Sequence, residues 1–233
     1  MLNRWASDAG SKWGEQRGVI YGNEFLDNWY INLGYGIAVD GSAKSWNRTV
    51  TLGTSNAVFV ENNFFDLNRH CVTATNGANY VARYNTVKDN YQDSVSFDAH
   101  GLSPAWPRGK RSVEIYGNVV TNSVTRFAGA GIRGGSGVIW GNTWNGVSQG
   151  AALYLENPPP TRPLIAYPAL DQIGNPDALY IWNNIFAGNS VYKYPTSNPL
   201  GIDYWIKLGR DYFTTAKPGY GPYIYPHPLR STS

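Results

Sequence analysis

Cysteine is almost missing from this chain. Cys71 stands alone, so no internal disulfide can form and no cysteine-based metal cage can be assembled. Histidine is nearly as scarce: His70, His100 and His227 are the whole supply, with no clustered His/Asp spacing, which argues against zinc. Charged residues make up only 15% of the chain, with 19 Lys and Arg against 16 Asp and Glu. That near-balance, with no basic run longer than Arg108-Gly-Lys-Arg111, argues against a nucleic-acid partner and is compatible with an anionic glycan. No apolar stretch approaches the length that spans a bilayer, so no membrane partner is expected. The opening Met1-Leu-Asn-Arg-Trp-Ala6 lacks the charged-then-apolar pattern of a secretory leader. Helical periodicity is missing as well, and Gly, Asn, Pro and Ser punctuate the connections instead.

What is abundant is glycine, at 26 residues, and aromatic side chains, at 15%. The glycines suit a chain that turns tightly and often. The rings serve either as platforms for sugar faces or as stacking units inside a repeat. A repeat is indeed present. Six segments align without gaps: Val19-Ile-Tyr-Gly-Asn23, Val58-Phe-Val-Glu-Asn62, Val81-Ala-Arg-Tyr-Asn85, Glu114-Ile-Tyr-Gly-Asn118, Val138-Ile-Trp-Gly-Asn142 and Tyr180-Ile-Trp-Asn-Asn184. Each reads as a short strand, an Asn, and then one further inward apolar residue. The Asn positions lie 39, 23, 33, 24 and 42 residues apart, so the shortest gaps correspond to one bare turn of chain and the longer ones to inserted loops. An Asn recurring at a corner can bond the turns above and below, satisfying backbone groups that the bend leaves unpaired.

A second strand follows each Asn: Gly36–Asp40, Cys71–Thr75, Ser94–Asp98, Gly129–Arg133 and Ala152–Glu156. Aligning their last residues puts Asp40, Thr75, Asp98, Arg133 and Glu156 in one column. The pattern predicts an all-β, single-stranded right-handed parallel β-helix, a solenoid of about six coils spanning residues 19–190. Residues 1–18 are expected to form an N-terminal cap or a truncated edge, and residues 191–233 a C-terminal cap.

With both strands of the turn in hand, the chain resembles the right-handed parallel β-helix proteins of the pectin lyase-like superfamily. More narrowly, Val81–Val87, Asp98-Ala-His-Gly101, Arg133-Gly-Gly-Ser-Gly-Val138 and Tyr223-Ile-Tyr-Pro-His-Pro-Leu229 are similar to a group of uncharacterised bacterial β-helix repeat proteins. The resemblance implies extracellular or periplasmic polysaccharide chemistry, as in lyases, hydrolases, epimerases and phage tailspikes, without selecting one.

In such a stack, equivalent residues of neighbouring turns stand about 4.7–4.9 Å apart, so a polar column becomes a constellation. Asp98 and His100 are two residues apart, on the same face of a continuing strand, where a carboxylate can orient an imidazole for proton transfer. The loop that follows supplies Trp106, Arg108, Lys110 and Arg111. Cations that neutralise a uronate carboxylate beside a base that takes the C5 proton are what β-elimination requires. The expected catalytic set is therefore Asp98, His100 and Arg133. Asp40, Thr75, Trp106, Arg108, Lys110, Arg111 and Glu156 are the expected contacts to a polysaccharide. A lyase on an acidic glycan ranks first. A hydrolase ranks second, because Arg133 between Asp98 and Glu156 would hinder a general acid. The alternatives are a non-catalytic glycan-binding or structural module whose column is a salt ladder, and a unit that assembles end to end. No cofactor is demanded; Ca²⁺ held by carboxylates such as Asp40 and Asp98 is the one metal the pattern leaves open.

Overall fold

The computed structural model describes residues 17–30, 34–41, 51–91, 94–101, 109–155, 173–174 and 177–230. It is all-β. In chain order the strands are β1 (Gly18–Tyr21), β2 (Glu24–Leu26), β3 (Tyr35–Asp40), β4 (Val58–Glu61), β5 (Phe64–Asp66) and β6 (His70–Thr75). Next come β7 (Asn79–Arg83), β8 (Thr86–Val87), β9 (Val95–Ala99), β10 (Ser112–Tyr116), the long β11 (Val119–Ile132), β12 (Ser136–Trp140) and β13 (Thr143–Leu153). The chain then runs through β14 (Leu179–Trp182), β15 (Ile185–Phe186) and β16 (Asn189–Lys193), a short helix α1 (Ile202–Trp205) and β17 (Tyr212–Phe213).

Every strand pairing is parallel, in two sheets. One runs β1-β4-β7-β10-β12-β14-β17; in the other, β2, β5 and β8 lead into β11, which β9, β6 and β3 follow, while β13 pairs β11, β15 and β16. The register shows why. Ile20, Val60, Ala82, Ile115, Ile139 and Ile181 stand opposite one another along the first sheet. Phe25, Phe65, Val87, Val120, Trp144 and Phe186 do the same after the corner. Ile37, Val72, Phe97, Ala130, Ala151 and Val191 form a third row. These three rows meet in one continuous apolar core, which the nearly closed sheets surround. Trp205, Ile206 and Tyr212, around α1 and β17, join the same core after the last full turn. The arrangement is compatible with a parallel β-helix.

The corner asparagines form a ladder. Asn85 takes its place in it by accepting from the Asn63 N–H at 3.0 Å on Oδ1 while its own N–H donates to Asn118 Oδ1 at 3.0 Å. Its Nδ2 reaches Val60 O at 2.9 Å, in the turn before. The same bonds link Asn23 to Asn63, Asn118 to Asn142 and Asn142 to Asn184. One correction follows: the second ladder position is Asn63, not Asn62, so the gaps are 40 and 22 residues rather than 39 and 23. Asn62 instead occupies the residue before the corner, which is left-handed in every turn: Gly22, Asn62, Tyr84, Gly117, Gly141 and Asn183 all have φ between 49° and 66°. Gly and Asn tolerate that conformation, and Tyr84 does not do so freely. A Cβ at Gly117 would come within 2.6 Å of the Tyr84 ring, so both features of the site exclude a larger residue.

A second ladder went unread in the sequence. Asn28 donates through Nδ2 to Asn68 Oδ1 at 2.7 Å, and the Asn90 N–H donates to Asn122 Oδ1 at 2.9 Å. Its members follow the first ladder by five residues, or by four at Asn122, where Asn122 Nδ2 then bonds Gly146 O at 3.1 Å.

The segment 217–230 crosses the outer face of the first sheet as a strap. Lys217 pairs with Asp177 at 2.7 Å and the Tyr220 hydroxyl donates to Glu114 at 2.6 Å. Arg83 donates to the carbonyls of Tyr223 at 2.7 Å and Ile224 at 2.9 Å. Arg230 closes the far end on Glu61 at 3.2 Å. Beneath it lie the fully buried pair Arg83 and Glu61, 2.6 Å apart, and the stacked rings of Tyr116, Trp140 and Trp182. Many aromatic side chains are thus spent on stacking between turns.

Candidate functional site

The last strand of each turn carries two outward columns. Ala38, Thr73, Asp98, Gly131, Ala152 and Tyr192 make up the first. The second begins with Asp40 opposite Thr75. It continues with His100, Arg133, Tyr154 and Tyr194, whose N–H groups extend the ladder onto Ala74, Ala99, Ile132 and Leu153 at 2.8–3.0 Å. The expected column is therefore corrected. Asp98 is not in line with Asp40, Thr75 and Arg133; His100 takes that place, because the β9 strand pairing runs two residues past Asp98. Tyr154 fills the level assigned to Glu156, which lies outside the described residues, as do Trp106 and Arg108.

The i, i+2 relation of Asp98 and His100 still brings both to Arg133. Asp98 is fully buried, accepts a hydrogen bond from the Thr73 hydroxyl at 2.8 Å, and lies 3.4 Å from Arg133 Nε. Burial by itself would raise its carboxyl pKa; the Arg133 cation, the His70 and His100 imidazoles and the Thr73 bond outweigh it, so the group sits below the usual carboxylate range. Arg133 keeps about a quarter of its side chain in solvent and lies over the Tyr154 ring, 5.6 Å from its centroid. His100 Nδ1 is 3.1 Å from Gly101 O, and its Nε2 is 3.4 Å from Arg133 Nη1. A carbonyl accepts and a guanidinium donates, so these partners assign the proton to Nδ1 and the lone pair to Nε2.

His70 flanks the same carboxylate. Its Nδ1 is 2.8 Å from Val95 O and its ring stacks on Tyr35. Burial lowers its pKa below the ordinary 6.5, against the pull of Asp98. The sign is definite: below 6.5 the unfolded chain binds a proton that the folded chain resists, so stability is full above that pH and falls beneath it. Urea unfolding midpoints compared on either side of that pH should drop on the acid side, and His70→Gln should flatten the dependence.

Lys110 and Arg111, expected as contacts to a polysaccharide, are closed off from solvent instead. Both are buried, and Lys110 Nζ donates to Ser136 O at 3.0 Å. Burial, then the neighbouring Arg111, pushes the Lys110 amine down to about 7. Asp40, on the strand two removed from Asp98, is half-buried, and burial raises its carboxyl pKa against hydrogen bonds from Asn76 and Gly41. Asp40 and Asp98 sit in different columns, and among the described residues no three His, Cys, Asp or Glu side chains cluster about a metal position.

Beyond Arg133 the face becomes aromatic. Tyr154 stacks on Tyr194 at 4.9 Å, and Phe127 meets Tyr154, Tyr192 and Tyr194 edge-on at 5.9–6.2 Å. The sequence carries a signal for this wall in Tyr192 and Tyr194, two residues apart in the sixth repeat. No family model matches the chain, and no curated protein and no solved structure is significantly similar to it.

Proposed function

We propose that the chain is a carbohydrate-active, right-handed parallel β-helix of about six coils, of the pectin lyase-like kind, and that it cleaves an acidic polysaccharide by β-elimination. The observation that carries this reading is the His100 Nε2 lone pair held beside the Arg133 guanidinium. Arg133 would pair with the uronate carboxylate and so acidify the C5 hydrogen. His100 Nε2 would take that proton; the C5–H electron pair becomes the C4–C5 double bond, and the C4–O bond breaks, its oxygen leaving with a proton from water. Asp98 acts as a positioning residue that fixes Arg133. The tyrosine wall would border the neighbouring sugar. Such chemistry suits an extracellular or periplasmic setting.

His100→Ala should lower the ultraviolet signal of unsaturated product by roughly 10²–10⁴-fold, the usual weight of a general base, while retention in acidic-polysaccharide affinity gels persists. Arg133→Ala should lose both. A second reading, a glycan-binding module without chemistry, draws on the burial of Asp98 against Arg133 as a salt ladder. Under it, His100→Ala changes nothing and the wild-type protein gives no product.

A further inference from the structure

We propose that Asp40, Thr75 and Asn76 form a site for a small oxygen-seeking cation of the Ca²⁺ or Na⁺ class. Asp40 and Thr75 are cross-strand partners on the outward face of β3 and β6. Asn76 follows with a left-handed backbone, φ 52°, and its Nδ2 reaches back toward Gly41 O at 3.4 Å. Three oxygens of this patch, Asp40 Oδ1, Thr75 Oγ1 and Asn76 Oδ1, are closed to solvent and have no hydrogen-bond partner. Buried polar atoms in folded proteins are nearly always satisfied, and orphans call for an ordered water or an ion. Here all three are oxygens and one is a carboxylate, so the missing partner must bring positive charge or donors.

A sugar hydroxyl would need an open surface, which these atoms do not have. A bare cation needs only the oxygens themselves. Carboxylate, hydroxyl and amide carbonyl are the hard donors that Ca²⁺ takes, and a single carboxylate puts the site in the weak class, on the order of 10⁻⁴–10⁻³ M. The Asp98 carboxylate is engaged elsewhere, by Thr73 and Arg133, and takes no part. The inference does not rest on the lyase reading.

The test is calorimetric and thermal-melting titration of the chelator-treated full chain with Ca²⁺ alone and Na⁺ alone. Saturable binding that raises the melting temperature is expected, weakened by roughly tenfold or more in Asp40→Asn and in Thr75→Val and unchanged in Asp203→Asn, on an exposed carboxylate elsewhere. Saturation by Na⁺ alone with the same sensitivities would identify a monovalent occupant. Thr75→Val carries the test if Asp40→Asn does not fold. No saturable response to either ion, or binding of equal strength in the folded variants, would overturn the proposal. Since activity is not the readout, its failure is separable from failure of the lyase reading.

Discussion

Arg83→Ala is expected to cost about 3–5 kcal/mol of stability, the usual consequence of breaking a buried ion pair from one side. Its guanidinium binds Glu61, the Tyr116 hydroxyl and two carbonyls of the strap, and it packs over Phe59. Removing it strands a fully buried carboxylate at Glu61 and cuts the strap at its centre. Arg230 can hold Glu61 only from the edge, with about a quarter of its own side chain in water. The urea midpoint should fall sharply with the slope unchanged, and proteolysis should begin within 217–230. Arg83→Lys should recover only a part, since an ammonium lacks the planar fork that reaches these acceptors together. A midpoint shift near that of an ordinary surface substitution would mean that the strap is not anchored here.

Asn118→Ala is the second large effect. Asn118 Nδ2 donates to Ala82 O and Asn142 Oδ1, each at 2.9 Å, while its Oδ1 accepts from Asn85 N at 3.0 Å and Asn85 Nδ2 at 2.9 Å. Truncation removes all four bonds and leaves the buried Asn85 N–H and one Nδ2–H of Asn85 without their acceptor. At about 1–3 kcal/mol for each unsatisfied group, partly relieved by relaxation, a loss of about 3 kcal/mol or more is expected. Asn23→Ala, at the exposed start of the same ladder, should cost under about 1 kcal/mol, because water replaces what is lost. The contrast between the two variants in chemical denaturation measures how far the ladder is a buried structural element. Equal losses would contradict the reading.

The ladder and the three apolar rows were legible because each turn repeats the same local demand, a strand, a left-handed residue and an Asn. The slip at Asn62 arose where two Asn adjoin: sequence alone cannot say which meets the left-handed position and which bonds the next turn. The second ladder was hidden by its change of spacing at Asn122. The column through Asp98 was misread by two residues, since alternation fixes the face of a strand but not the level at which it meets its neighbour. Asp98, His100 and Arg133 still came together, because a two-residue slip preserves the face. The strap was the least legible part. Glu61 and Arg83 look like ordinary outward charges until a segment some 140 residues distant is laid across them. The same distance conceals the partner of Glu114 at Tyr220.

The most direct test of the account is ultraviolet absorbance while the wild-type protein is incubated with a panel of acidic polysaccharides, with and without Ca²⁺. The account predicts a steady rise from unsaturated uronide on at least one uronate polymer, absent in His100→Ala. A flat trace across the panel from folded protein would contradict the elimination chemistry assigned to His100 and Arg133.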